Sequence, residues 1–225
     1  MQPDAVVRLF ETLQAVATPA TDLTVKVRRS AFRSLVSCLL SAQSRDANTA
    51  RAADQLFAEA ATPAAILALP EARIAELIKP CGLYNTKARN LKRLCQALLD
   101  EHGGAVPATR AGLMALPGIG RKCADIMLRF TYDQPAVAVD THVFRVARRL
   151  GLSAAPSEAR VALDLDAVIP ARFKMAAHLL LLDHGKTVCR SRRPRCPTCP
   201  VAALCPRLGV TAAADLPPTV EAGGG

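Results

Sequence analysis

The chain has no tryptophan, two tyrosines and six phenylalanines among its 225 residues. With aromatics at 4%, it lacks the stacking platform on which single-strand binders lay successive bases. Acidic residues are also scarce, 19 against 29 Lys and Arg, giving a net charge of +10 and a pI of about 9.6. That imbalance points to a polyanionic partner, nucleic acid before a membrane surface. No apolar run approaches the roughly 20 residues that a membrane-spanning helix needs. Residues 1–10 contain Asp4 and no long apolar stretch, so they do not read as a signal peptide. Runs of β-branched residues are short and no strand pair is visible. Alanine and leucine dominate, and the expected fold class is all-α.

Eight cysteines are present; Cys81 stands in the break Lys79-Pro80-Cys81-Gly82, and the other seven fall into two kinds. Cys38, Cys95 and Cys123 lie in apolar, helix-like surroundings, where a free thiol behaves as a small hydrophobe. The expected home is therefore the cytoplasm rather than a disulfide-forming compartment. Cys189, Cys196, Cys199 and Cys205 are spaced C-x6-C-x2-C-x5-C. A zinc ribbon normally shows two C-x2-C pairs. One short gap and two longer ones suit the corners of a cubane iron–sulfur cluster better. Between Lys186 and Arg207 stand Arg190, Arg192, Arg193 and Arg195, with no acidic residue. A metal centre pinning such a cationic loop is a means of gripping a phosphate backbone.

Apolar spacing predicts many short helices. Phe32, Leu35, Val36 and Leu39 mark a buried face ending near Ser41, and a second helix is expected over 47–59. Thr62-Pro63 reads as a cap followed by proline at the first helical position, and Pro70 opens another short helix. Asn85 is expected to cap a longer helix with Leu91, Leu94, Leu98 and Leu99 inward. Lys87, Arg89, Lys92 and Arg93 are expected outward, and Gly103-Gly104 ends it. Further helices are predicted from Thr109, over 121–130, 141–150, 157–169 and 171–183.

Between the helices starting at Thr109 and Arg121 lies Leu116-Pro117-Gly118-Ile119-Gly120-Arg121-Lys122. Two glycines around one apolar residue permit a sharp turn and close approach of a ligand to the backbone. Amide groups at the following helix start would face a phosphate. This hairpin, Val139-Asp140-Thr141-His142 and the cysteine pattern together resemble the endonuclease III family. Leu40-Ser41-Ala42-Gln43, Gly82-Leu83-Tyr84-Asn85-Thr86-Lys87 and Pro170-Ala171-Arg172-Phe173 extend the likeness to most of residues 30–205.

The resemblance implies a DNA glycosylase and AP lyase of base excision repair with a 4Fe-4S iron–sulfur cluster. It implies a helical barrel over 24–134 and a cluster domain joining 1–23 to 135–210; residues 211–225 are expected to form a disordered tail. Damaged double-stranded DNA would lie across the cleft, the lesion base flipped into it, and the protein would act as a monomer. Lys122 matches the nucleophilic lysine. The helix dipole and Arg121 both disfavour its cation, leaving a neutral amine to attack C1′ and form a Schiff base. Asp140 matches the catalytic aspartate, and as Asp-Thr-His it also suits a helix N-cap. Gln43 matches the glutamine that enters the space left by the flipped nucleotide, and Leu83 matches a second wedge that holds the strands apart. Leu116, Gly118, Gly120, Arg121, Arg190, Arg193 and Arg195 are the expected phosphate contacts, and the four clustered cysteines the metal ligands. Asp46 is expected to cap the next helix or line the pocket. His102, His142, His178 and His184 are read as structural.

Three residues depart from the family pattern: Arg45, Cys81 and Cys123 replace a small threonine, a bulkier aliphatic and a threonine. A glycosylase without lyase activity usually lacks the lysine and carries an extra C-terminal domain. A mismatch-thymine glycosylase differs only in pocket residues. A binding-only relative is opposed by the joint presence of Lys122 and Asp140.

Overall fold

The computed structural model describes residues 1–17 and 30–210. The expected domain boundary at 23/24 and the expected tail at 211–225 lie outside the described residues. Among the described residues every regular element is helical. They are α1 (Pro3–Ala15), α2 (Ala31–Ser41), α3 (Asp46–Glu59), α4 (Pro63–Ala68), α5 (Glu71–Leu77), α6 (Tyr84–His102), α7 (Arg110–Ala115), α8 (Arg121–Ile126), α9 (Thr141–Arg149), α10 (Glu158–Val168) and α11 (Ala171–Thr187). A π-helical turn, Met127–Thr131, continues α8, and 3-10 turns occupy Cys196–Thr198 and Ala202–Leu204. No described helix is long and apolar enough to cross a membrane.

Local chemistry explains many of the helix starts. Ser30, Thr62, Thr109, Asp140 and Ser157 each accept a hydrogen bond from the amide three residues on, satisfying a donor that the helix itself leaves free. Asn85 does not perform that role. Leu83 is the N-cap of α6, held at φ 57°, and Asn85 already lies in the first turn. Helix α11 runs a turn beyond the expected end at 183, because Gly185 is a packing residue rather than a stop. A Cβ there would stand 3.1 Å from His142 Cβ and Val146 Cγ2, so glycine lets α11 close on α9.

Two apolar cores organise the helices. The first gathers α2 to α8, with Leu35, Leu56, Ile66, Ile74, Leu91, Leu94 and Leu113 fully buried. The second joins α1 to α9, α10 and α11, where the Phe10 and Phe173 rings stack 5.6 Å apart. The chain passes from one core to the other between Ala136 and Val137. An ion-pair network spans the seam. Asp125 of α8, 1% exposed, meets Arg110 Nε of α7 at 2.7 Å and Arg121 Nε at 3.4 Å. Arg121 also pairs with Asp166 of α10, which lies 3.5 Å from Arg110. Burial pushes the Asp125 carboxyl above its ordinary value, against the pull of both guanidiniums.

Lys87 overturns its expected outward placement. It is 5% exposed, and its ammonium donates to the Leu40 carbonyl at the end of α2, 2.8 Å away. The bond fastens α6 beneath the loop carrying Gln43. Burial depresses the Lys87 pKa, yet the bond satisfies a carbonyl that the helix end leaves open. Lys87→Met should lower stability by about 2 kcal/mol, the order expected for stranding a buried acceptor, read as a lower urea midpoint at unchanged slope.

Candidate active site

The hairpin leaves α7 at Leu116 and enters α8 after Gly120. Gly118 sits at φ +80°, and a Cβ on it would meet Asn90 and Leu39 atoms at 3.3–3.4 Å. Its glycine is therefore demanded by the fold. Gly120 is different: its φ is −91° and a Cβ there would enter open space. Nothing inside the protein requires glycine at 120. Leu116 and Ile119 are buried, at 2% and 5% exposure, so Leu116 offers a ligand only its backbone. The Ile119 amide closes the turn onto the Leu116 carbonyl at 3.1 Å.

Lys122 projects from the first turn of α8 and is exposed. Arg121, expected to place its charge beside Lys122 and a phosphate, instead turns into the network with Asp125 and Asp166. Asp140 caps α9, its Oδ1 accepting from the Val143 amide at 2.8 Å. Lys122 and Asp140 converge electrostatically on His178 of α11, a buried residue whose Nδ1 lies 2.8 Å from the Ala138 carbonyl. With a carbonyl as its partner, Nδ1 is the protonated nitrogen. In sequence His178 reads as an ordinary structural histidine. Its only local sign was a polar residue among Ala177, Leu180 and Leu181 on a buried helix face. His142 lies beside Arg145, 3.3 Å from its Nη2.

Gln43 and Leu83 share an uncommon backbone, φ 51° and 57°, in the left-handed region. Both are exposed, Leu83 by 60%. Their loops abut: a Cβ on Gly82 would stand 3.3 Å from the Gln43 carbonyl. Cys81 is buried against this junction, its thiol 3.8 Å from the Asn48 carbonyl. Arg45 is the exposed N-cap of α3. Asp46 does not cap α3; it lies in the first turn and lines a cavity of about 300 Å³ between α2, α3 and the π turn.

Cys189, Cys196, Cys199 and Cys205 line one small cavity at the end of α11. Arg149 braces this loop, donating to the Arg190 carbonyl at 2.7 Å and the Ser191 carbonyl at 3.1 Å. It also approaches Cys189 Sγ at 3.7 Å. Burial, joined by the neighbouring sulfurs, pushes the Cys199 and Cys205 thiols up. Among the described residues no group of His, Cys, Asp or Glu is drawn tightly enough to chelate a single ion. A zinc centre draws four ligands to one point, with sulfurs at about 2.3 Å. Four thiols lining one cavity are a donor set that fits a group of several irons, each iron taking its own cysteine. Arg190, Arg192, Arg193 and Arg195 surround this loop, all exposed.

A glycine hairpin feeding a lysine-bearing helix, together with an aspartate-capped helix and a four-cysteine loop, defines a narrow class of protein. The chain belongs to the HhH-GPD superfamily of base excision DNA repair proteins, whose model matches residues 36–171. Its relatives are more particular. It is 42% identical to Endonuclease III of Escherichia coli (strain K12), over 83% of this chain and 87% of the relative. Endonuclease III of Treponema pallidum (strain Nichols) is also 42% identical, over 79% and 84%. Among solved structures, a trapped endonuclease III–DNA covalent intermediate superposes with a TM-score of 0.79 at 35% identity, covering 90% of this chain and 96% of that one. A thermostable thymine-DNA glycosylase shares the fold, with a TM-score of 0.78 at 24% identity over 91% and 96%.

Burial lowers the His178 pKa below its ordinary value of 6.5, the Ala138 carbonyl opposing it. The unfolded chain thus binds a proton that the folded chain refuses as pH drops below about 6.5. Stability is expected to fall on acidification through that window. The fall should be shallower in His178→Gln, compared by thermal melts at pH 7.5, 6.5 and 5.5 (approximate set points spanning the window).

Proposed function

We propose that the chain is a DNA N-glycosylase and AP lyase that removes oxidised pyrimidines from duplex DNA. The observation that carries the reading is an exposed lysine, Lys122, in the first turn after the glycine hairpin, sharing its surroundings with Asp140. In the proposed reaction the Lys122 amine attacks C1′ of the lesion nucleotide and the bond from C1′ to the base breaks. Asp140 stabilises the positive charge developing on the sugar and takes part in moving the amine proton. Loss of the ring C1′–O bond yields an imine between Lys122 and the opened sugar. That imine acidifies the 2′ proton. Its removal expels the 3′ phosphate, which cuts the strand by β-elimination, and water releases the lysine.

The remaining residues position the duplex. Backbone groups of Leu116, Gly118 and Gly120, with Arg190, Arg193 and Arg195, hold phosphates without reading sequence. Gln43 and Leu83 enter the gap left by the extruded nucleotide, and their abutting loops make one wedge of the two. Leu83 is the larger apolar insert, of the kind that parts stacked bases. Arg121 serves this reading indirectly, by fixing α8 through Asp125 and Asp166. Cys189, Cys196, Cys199 and Cys205 would hold a 4Fe-4S cluster, which when bound supplies a cross-link for the cationic loop. Pro194, Arg195 and Arg207 line the same cavity as the four cysteines, so an anchor there would fix the cationic loop.

Strand cleavage of a duplex carrying thymine glycol tests the chemistry. Lys122→Ala should lower it by roughly 10⁴-fold and Asp140→Asn by about 10²-fold, each still binding abasic duplex. Cleavage by Lys122→Ala at the parental rate would remove the assignment.

Phosphate holding is tested by salt. Binding should weaken about a thousandfold between roughly 50 and 200 mM salt if about six phosphates are neutralised. Arg193→Ala should flatten the slope by about one. Gly120→Ala should melt like the parent, since its Cβ meets nothing, yet bind duplex more weakly because backbone approach is blocked.

A further inference from the structure

Helix α2 turns Ser34, Ser37, Cys38 and Ser41 to one side, at i, i+3, i+4 and i+7, and they form one wall of the 300 Å³ cavity. Asp46 of α3 and Phe130 of the π turn stand on other sides. Small side chains on one helix face leave a hollow where larger ones would have filled the core. The π turn widens it: the Tyr132 amide donates to the Met127 carbonyl at 3.1 Å, five residues back, the extra residue that marks π segments at many ligand sites. The cavity is at the lower end of small-molecule sites in volume, room for one six-membered ring with its substituents.

The wall contains an unexplained group. Ser37 and Ser41 return their hydroxyls to the Arg33 and Cys38 carbonyls at 2.8 Å, and Thr49 reaches the Arg45 carbonyl at 3.2 Å. Ser34 does not. It is 7% exposed and its Oγ has no hydrogen-bond partner, while the Ser30 carbonyl it could have used accepts the Ser34 amide at 3.0 Å. A buried hydroxyl without a partner weakens a fold, and apolar replacement would relieve that. Its presence beside a cavity is accounted for if something entering the cavity completes it.

Neither Lys122 nor Asp140 lines this cavity, but its wall reaches their surroundings. Cys38 in its wall lies beside Cys123, the neighbour of Lys122, and feels the Lys122 charge. Phe130 packs edge-on against His178, ring centres 5.7 Å apart, and His178 feels both Lys122 and Asp140. We propose that Ser34 is a specificity-determining residue of this chain: with the extruded pyrimidine of the glycosylase reading seated in this cavity, the Ser34 hydroxyl hydrogen-bonds the polar edge of the base. The proposal rests on the glycosylase reading and deepens it. A pyrimidine saturated at C5–C6 is puckered and carries substituents out of its plane, which suits a hollow walled by serines rather than a flat slot. The ring faces Phe130. Asp46, exposed at the rim, accepts from a ring N–H and repels anionic ligands.

The test compares wild type with Ser34→Ala under single-turnover conditions, on one duplex carrying 5,6-dihydrouracil and one carrying an abasic site. The abasic duplex has no base to place in the cavity. The ratio of base excision to abasic-strand cleavage should fall about tenfold in the variant, while its melting temperature stays level or rises. An unchanged ratio overturns the assignment, as does a lowered melting temperature with both rates falling together, which would mark Ser34 as a packing residue. Wild type that acts on neither duplex overturns the glycosylase reading itself. Wild type active on both, matched by Ser34→Ala, overturns only the role of Ser34.

Discussion

A buried carboxylate, Asp125, holds the molecule's two halves in register. Its side chain is 1% exposed, a placement that disfavours an ionised group unless opposite charge is close. Arg110 and Arg121 supply it, and Asp166 from the second core ties both arginines in turn. The hairpin lies between the two arginines in sequence, so the network clamps both its ends. Lys122 follows directly. Its position relative to Asp140, which belongs to the other core, depends on that clamp more than on any contact Lys122 makes itself.

Around this fixed centre the protein keeps features that stability alone would remove. Gln43 and Leu83 occupy left-handed backbone, at about 1–2 kcal/mol each for residues other than glycine. Leu83 is also exposed, and Ser34 leaves a hydroxyl unpartnered in a buried wall. Each sits where the proposed substrate would be: two in the strand gap, one in the base cavity. Left-handed backbone recurs at Asp133, Arg193 and Arg207, while many helix starts are capped and the first core is built on fully buried leucines. Strain at Gln43 and Leu83, whose loops abut, is what a ligand-facing surface produces.

The helices, most caps, the hairpin and the cysteine loop were legible in the sequence because short spacing carries them. Thr62-Pro63, Thr109 and Ser157 act within one turn, and Gly118 answers a local backbone demand. The all-helical class and the family likeness follow from such signals together. Lys87, Arg121, Ser34 and Gly185 were not legible in the same way. Each depends on which helix arrives opposite: α2's end over Lys87, α10 beside Arg121, the π turn across from Ser34, α9 against Gly185. The local pattern around Lys87 reads as a solvated helix face, and only the Leu40 carbonyl reverses it. Asn85 failed as a cap because Leu83 starts the helix from a conformation that leucine seldom adopts.

Covalent trapping tests the central claim most directly. The protein is incubated with a labelled duplex carrying thymine glycol or an abasic site, borohydride is added, and the mixture is resolved by denaturing electrophoresis. A reduced protein–DNA adduct that disappears in Lys122→Ala is the result the account predicts. Absence of any adduct from wild type that binds either duplex tightly, or an adduct that persists in Lys122→Ala, would contradict it.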